Sequence, residues 1–416
     1  MADTLEDKIA AARSVLVRSA RAGLPAGFSA GMPAYPREDM RTFGSGAHGV
    51  AQASTKTKEG KQGEKGENST ENSTENSTET TVAAASKQAD FIWSDEGEPH
   101  ALRKRAILKK YGKQITSLMG PSWKTKYVVA LTVALHCAMA YLLRDKAWTT
   151  WEFWVGAYLI GGALTQNCFL AIHEITHGLA FKSVKANRLL AMVANLPIAI
   201  PYSAKFPGYH MEHHRYQGTD GIDTDIPHPA EAWLFHHGGM PAKIFFAFNQ
   251  ILFYAIRPSV VREQAVDAWF VLNFAVQIAF DVAVVKAFGM GPIWYFLLSA
   301  FFAGSIHPLA SHFIAEHYVF LGDQETYSYY GWLNCLTFNV GYHNEHHDFP
   351  NVAWDKLPQV REIAHDFYDN LPYHRSWPEV LFQFITTPTV SSYNRVKRPD
   401  VKNLATTTVV GQKKKK

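Results

Sequence analysis

Eight histidines stand in three short clusters whose spacing suits metal binding. They are His173-Glu-Ile-Thr-His177, His210-Met-Glu-His213-His214 and His343-Asn-Glu-His346-His347. Residues three and four apart share one face of a helix, so each cluster aims two or three imidazoles at one point. Imidazole nitrogen ligates iron, zinc, copper and nickel. Eight nitrogens exceed the positions of a tetrahedral zinc site and suit two metals side by side. A lone histidine on an apolar face is ordinarily a hydrogen-bonded core residue; three clusters in one chain point to a metal centre.

The elements that must position these clusters are apolar. Residues 127–143, 151–172, 269–288 and 292–306 are long apolar stretches, flanked by Tyr127, Trp151, Trp269, Trp294 and Tyr295. A spanning helix needs about 20 mostly apolar residues, and aromatic residues collect at membrane interfaces. The pattern predicts an all-α, multi-spanning membrane protein of about four transmembrane helices. Two poorer stretches, 189–203 with Pro197 and Pro201 inside it and the short 244–256, read as interfacial or re-entrant pieces. The first cluster ends the second span, and the third cluster follows two further crossings. All three therefore meet at one membrane face as a histidine-rich cap. Lys182, Lys185, Arg188, Lys205 and Arg215 beside the clusters mark that face as cytosolic, and Arg103, Lys104, Arg105, Lys109, Lys110 and Lys113 agree.

The rest of the chain bounds the reading. Residues 1–89 lack hydrophobic periodicity, carry a threefold Asn-Ser-Thr-Glu repeat at 68–79, and read as a disordered arm. Its three glycosylation sequons stay unmodified if the arm is cytosolic. Residues 9–22 could form a short basic amphipathic helix, but Asp3, Glu6 and Asp7 argue against a transit peptide. Residues 399–416 read as a flexible basic tail, and its lysines at 413 and 414 fit a dilysine retrieval signal. The net charge of +4 gives no footing for nucleic acid. Cys137, Cys168 and Cys335 read as reduced, buried small hydrophobes.

A two-metal histidine centre in a membrane suits oxygen activation, with oxidising power beyond that of any side chain. A long apolar substrate fits, because it lies in the bilayer that the site touches. Carboxylates beside the ligands have a role as well: a metal-bound imidazole usually donates its other N–H to an acceptor that fixes its tautomer. Glu174, Glu212, Asp223, Asp225, Glu316, Glu345 and Asp348 are placed for this; the competing reading for each is a solvated surface carboxylate.

The motifs HEITH, HMEHH and HNEHH resemble the membrane fatty-acid desaturase superfamily. Residues 201–227, 307–320 and 341–371 are similar to the sphingolipid Δ4-desaturases within it, and 90–111 resembles that family's short N-terminal segment. The likeness covers about residues 90–398, which divide into a segment at 90–120 and a desaturase domain at 121–398. It implies an endoplasmic-reticulum enzyme with two non-haem iron ions and both termini cytosolic. Such an enzyme would use O2, and electrons from cytochrome b5 and its reductase, to place a trans double bond at C4 of dihydroceramide, giving ceramide. No His-Pro-Gly-Gly haem segment is found in this sequence, so the resemblance implies an electron donor on a separate chain. The resemblance also implies a ninth iron ligand shortly before the third cluster. His317 suits it; His312 and His307 are the other possibilities. Three alternatives stay open: a sphingolipid C4-hydroxylase or bifunctional enzyme, a fatty-acyl desaturase on another lipid, and a histidine-rich membrane metal transporter. A transporter would string ionisable groups along a midplane path, whereas these histidines gather at one face.

Overall fold

A computed structural model describes residues 90–322 and 324–399 of the chain. The expectations for the arm at 1–89 and for most of the basic tail lie outside the described residues. In chain order the helices are α1 (Pro99–Leu118), α2 (Trp123–Leu142), α3 (Trp151–Thr176), α4 (Val184–Asn195), α5 (Phe206–Arg215), α6 (Pro229–His237) and α7 (Gly239–Val261). After them come α8 (Ala268–Phe288), α9 (Gly291–Ala303), α10 (His312–Ala315), α11 (His343–Asp348), α12 (Leu357–Ile363), α13 (His365–Tyr368) and α14 (Trp377–Thr386). Two small parallel pairings complete the fold: β1 (Ile92–Trp93) with β4 (Val396–Lys397), and β2 (Ser328–Tyr329) with β3 (Tyr373–His374).

Four helices, α2, α3, α7 and α8, are long and apolar enough to cross a membrane. The central one is α3, which packs against α2, α4, α5 and α9. Its 26 residues include one π-helical stretch at Gly156–Gly161. Exposed large apolar side chains such as Leu131, Leu135, Leu159, Val271, Phe274 and Ile278 cover the outer faces of α2, α3 and α8, where lipid takes the place of a protein core.

Two boundaries differ from the sequence reading. Residues 244–256, expected as a short piece, belong to the 23-residue helix α7. Buried cationic side chains anchor it near both ends. Near its start, Lys243 Nζ donates to the carbonyls of Thr387 (2.8 Å) and Val390. Near its end, Arg257 reaches Glu231 at 2.6 Å and the Asp225 carbonyl at 2.7 Å, and Arg395 reaches that same carbonyl at 2.9 Å. Between these anchors Phe245, Phe248, Leu252, Ile256 and Val260 form an exposed apolar stripe at helical spacing. The helix is therefore long and apolar enough to cross a membrane, where a short interfacial piece was expected. The second difference is at 292–306, expected to span. Helix α9 has only 13 residues, about 20 Å at 1.5 Å each. It ends at Ala303, and the Gly304 that follows packs so closely on Ile251 that a β-carbon there would stand 2.4 Å away. The turns after it are mostly buried in protein, with Ile306 and Pro308 exposed, and irregular backbone is tolerated where protein surrounds it.

The proline-broken stretch 189–203 leaves α4 through a short 3-10 turn, Leu196–Ile198, and a left-handed Ala199. Buried side chains hold it. Asn195 Oδ1 accepts from the Tyr202 and Ser203 amides, its Nδ2 donates to the Ile200 carbonyl and to Gln277, and Asn273 accepts from the Ala204 amide. This network fixes the entry to α5, which carries the second histidine cluster. Of the cysteines, Cys168 is buried and Cys137 partly so, but Cys335 is exposed. It sits beside outward-facing Trp332 on an apolar turn that is surface rather than core.

Candidate metal centre

Each cluster falls at or near a helix end. His173 lies in the last turn of α3 and His177 directly after it. His210, His213 and His214 share α5, and His343, His346 and His347 make up half of the six-residue α11. His317 follows α10.

The side chains converge in two groups. Donor atoms of His173, His177, His210, His214 and His346 all lie within 4.8 Å of one another, and so do those of His213, His317 and His347. His343 joins the second group, its Nε2 2.9 Å from that of His317. Further Nε2–Nε2 separations are 2.8 Å for His177–His210, 3.0 Å for His210–His214, 3.1 Å for His214–His346 and 3.0 Å for His213–His317. The groups adjoin: the rings of His214 and His347 stack at 4.2 Å.

Burial and mutual proximity keep these imidazoles neutral. Burial pushes His177 down to about 3 and His343 to about 4, and His210, His214, His317, His346 and His347 go well below the ordinary value. His213 is the exception. Burial alone would lower it, but the Asp223 carboxylate outweighs burial and holds it above the usual histidine value.

Hydrogen bonding shows what the nitrogens face. His213 Nδ1 donates to Asp223 Oδ1 at 3.0 Å, and His317 Nδ1 donates to the Glu325 carbonyl at 3.3 Å. With both Nδ1 atoms committed as donors, the two rings turn their Nε2 atoms toward each other at 3.0 Å. Such a pair needs a positive charge between its nitrogens, either a proton on His213 or a metal ion against both. A metal–nitrogen distance of about 2.1 Å sets adjacent ligands of an octahedral ion about 3.0 Å apart. The donor set and its spacing therefore fit two metal ions, one for each group.

The other sequence-proposed residues sort by contact. His312 has both ring nitrogens engaged, Nδ1 with Glu316 at 2.8 Å and Nε2 with Gln166 at 3.3 Å, and it stands outside both groups. His307 accepts from the Leu309 amide and packs beside Tyr158, also outside. Among the carboxylates, Asp223 touches a grouped histidine directly, and Glu316 lies 3.7 Å from His343 Nδ1. Glu174 accepts from the Trp354 amide, Glu212 pairs with Arg262, Asp225 with Arg395, and Glu345 accepts from Ser328 and Tyr330. Asp348 meets His100, Arg103 and Tyr368. The sequence reading missed His100, whose ring lies 4.8 Å from that of His347. Its only signal was a place in the segment 90–111.

Comparison with known proteins identifies the family. The family model "Fatty acid desaturase" matches residues 90–377. The chain belongs to the fatty acid desaturase family. Among its relatives, the Sphingolipid delta(4)-desaturase of Komagataella phaffii is 45% identical over 329 residues, 76% of this chain and 90% of that protein. The Sphingolipid delta(4)-desaturase DES1 of Bos taurus is 46% identical over 311 residues, 74% of this chain and 95% of that protein. An Arabidopsis thaliana protein, Sphingolipid delta(4)-desaturase DES1-like, is 47% identical over 309 residues, covering 74% and 92%. The desaturase is thus an oxidoreductase, and its matched region holds all nine grouped histidines.

Proposed function

We propose that this desaturase is a sphingolipid Δ4-desaturase that converts dihydroceramide to ceramide. The observation that carries the chemistry is the convergence of nine imidazoles, in groups of five and four, at the end of a spanning helix. The names of the relatives supply the substrate class. His173, His177, His210, His214 and His346 would hold one iron ion, and His213, His317, His343 and His347 the other. When bound, the two ions supply the oxidising power to remove hydrogen from an unactivated C–H bond. The overall balance is dihydroceramide, O2, two electrons and two protons to ceramide and two waters. Electrons would come from cytochrome b5 and its reductase.

The protein's part is positional. Asp223 and the Glu325 carbonyl fix the tautomers of His213 and His317, so that each offers Nε2 to the metal. Burial of His213, His317, His343, His346 and His347 limits the bulk water that would quench a strong oxidant. The basic residues at 182–215 favour the cytosolic side of the endoplasmic reticulum for this face.

The test is expression in cells that lack sphingolipid Δ4-desaturation, with mass spectrometry of their sphingoid bases. The expected product is two mass units lighter than dihydroceramide, with the new double bond at C4. A product sixteen units heavier would assign a C4-hydroxylase instead. Neither product, from iron-loaded enzyme supplied with cytochrome b5, would refute the substrate assignment.

A further inference from the structure

Helix α11 poses a positioning problem. It has six residues and carries three grouped histidines, His343, His346 and His347. A helix this short has little stability of its own, so its orientation must be imposed from outside. The restraint comes from the other end of the chain. Asp348, the last residue of α11, is fully buried and takes four donors. These are His100 Nδ1 at 2.8 Å, Arg103 Nε at 2.6 Å, Arg103 Nη2 at 3.1 Å and the Tyr368 hydroxyl at 2.8 Å. Arg103 Nη2 also reaches Asn344 Oδ1 at 3.0 Å, near the start of the same helix. One guanidinium thus grips α11 at both ends.

His100 itself is held on all sides. Its Nε2 meets Thr326 Oγ1 at 2.9 Å, so both ring nitrogens are occupied and it is no metal ligand. The start of α1 is fixed by Glu98, whose carboxylate accepts from the His100 and Ala101 amides at 2.7 and 3.1 Å. Upstream, β1 pairs with β4, and Lys397 lies 4.3 Å over the Phe91 ring. Arg398 then joins this segment to the metal centre. It donates to the Glu96 carbonyl at 2.8 Å and pairs with Glu325 at 2.6 Å, and the Glu325 carbonyl accepts from His317.

We propose that residues 91–103 form a clasp in which His100 and Arg103 are positioning residues for the second histidine group. The proposal rests on the two-metal reading above. The clasp bears on His343 and His347 through α11 and on His317 through Glu325. Of the first group it bears only on His346; the other four histidines stand on or beside α3 and α5. Loss of the clasp should therefore release one metal ion and spare the other.

The experiment is iron content per folded chain, with turnover and melting midpoint, for detergent-purified wild type, His100→Phe and His100→Gln. Wild type is expected to hold about two irons. His100→Phe, which cannot bond Asp348 or Thr326, is expected to hold about one and to lose turnover at least tenfold. His100→Gln can span the same two partners and is expected to recover iron toward two. If His100→Phe keeps two irons, the clasp is refuted. If it loses both irons with a collapsed melting midpoint, the segment is scaffold and the proposal is also refuted. Should His100→Phe not accumulate, Arg103→Lys takes its place, since one ammonium cannot hold Asp348 and Asn344 as the guanidinium does. A wild type without iron would instead sink the two-metal reading.

Discussion

Replacing Asp223 by asparagine separates the charge of this side chain from its shape. The buried carboxylate accepts three N–H groups: His213 Nδ1 at 3.0 Å and the Asp225 amide at 3.0 Å on Oδ1, and the Gly218 amide at 2.8 Å on Oδ2. An amide of the same shape has one oxygen for three donors. Its least damaging orientation keeps the oxygen on His213 and Asp225 and turns the NH2 toward the Gly218 N–H. That leaves one buried backbone donor unsatisfied, at a cost of about 1–3 kcal/mol. The bond to His213 also changes from charge-assisted to neutral, which roughly halves its strength. Loss of such a partner behind a ligand typically lowers metal affinity or activity about 10–100-fold. The assay is iron retained per chain during timed dialysis against a chelator, followed by ceramide formed in reconstituted membranes. Asp223→Asn is expected to release metal about 10–100-fold more readily and to lose turnover in step. Asp225→Asn is the comparison. Its carboxylate pairs with Arg395 at 2.5 Å and touches no grouped histidine, so it should lower stability while metal retention stays near wild type. Iron retention by Asp223→Asn within twofold of wild type would refute the reasoning.

Two further outcomes follow from the same coordinates. Without metal, the stability of the protein should fall steeply as pH drops below about 6.5, because the unfolded chain protonates histidines that the fold keeps neutral. Folded values are lowered, to about 3 for His177 and about 4 for His343, so each such group removes about 1.4 kcal/mol per pH unit through that window. Melting of metal-stripped protein at pH 7.5 and 5.5 checks this, and equal midpoints would contradict it. Gly291→Ala should destabilise the bundle, because the added β-carbon would stand 2.2 Å from the Arg144 carbonyl oxygen, backbone against backbone. Overpacking of this kind costs about 1–3 kcal/mol. Gly97→Ala, with nothing within 4 Å, is the control, and the two variants should differ clearly in thermal melting.

The three clusters were legible in the sequence because helical spacing sets ligands side by side, and α5 realises this over His210, His213 and His214. The pairing of the clusters into groups of five and four was not. His346 and His347 are neighbours on α11 yet face different groups, since successive helical residues diverge by about 100°. The same geometry explains the carboxylates. Glu174, Glu212 and Glu345 stand next to a ligand in sequence and so point elsewhere, to Trp354, Arg262 and Tyr330. Asp223, ten residues past His213, returns through a loop to meet it. Apolar counting found α2, α3 and α8 well. It cut α7 short because Lys243 and Arg257 read as breaks, whereas both turn inward to the cap. It overran α9 because apolar character continues to Ile306 while the helix ends at Ala303.

The depth of the centre bears on which carbon it can reach. His173 is 22 residues beyond Trp151 along α3, a rise of about 33 Å at 1.5 Å per residue. The hydrocarbon core is about 30 Å thick. A helix that enters at Trp151 therefore delivers His173 to the opposite boundary, where apolar chains give way to headgroups. An enzyme that oxidises a lipid far down its chain must draw that chain well past the headgroup level into the protein. C4 of a sphingoid base needs no such reach, because it adjoins the carbon that bears the C3 hydroxyl and lies at the boundary already. For the proposed dihydroceramide substrate, a centre at this level would meet C4 with the hydroxyl in polar surroundings and the chain beyond C5 among apolar ones. The position of the nine histidines relative to the span, and not their number alone, favours a reaction beside the headgroup.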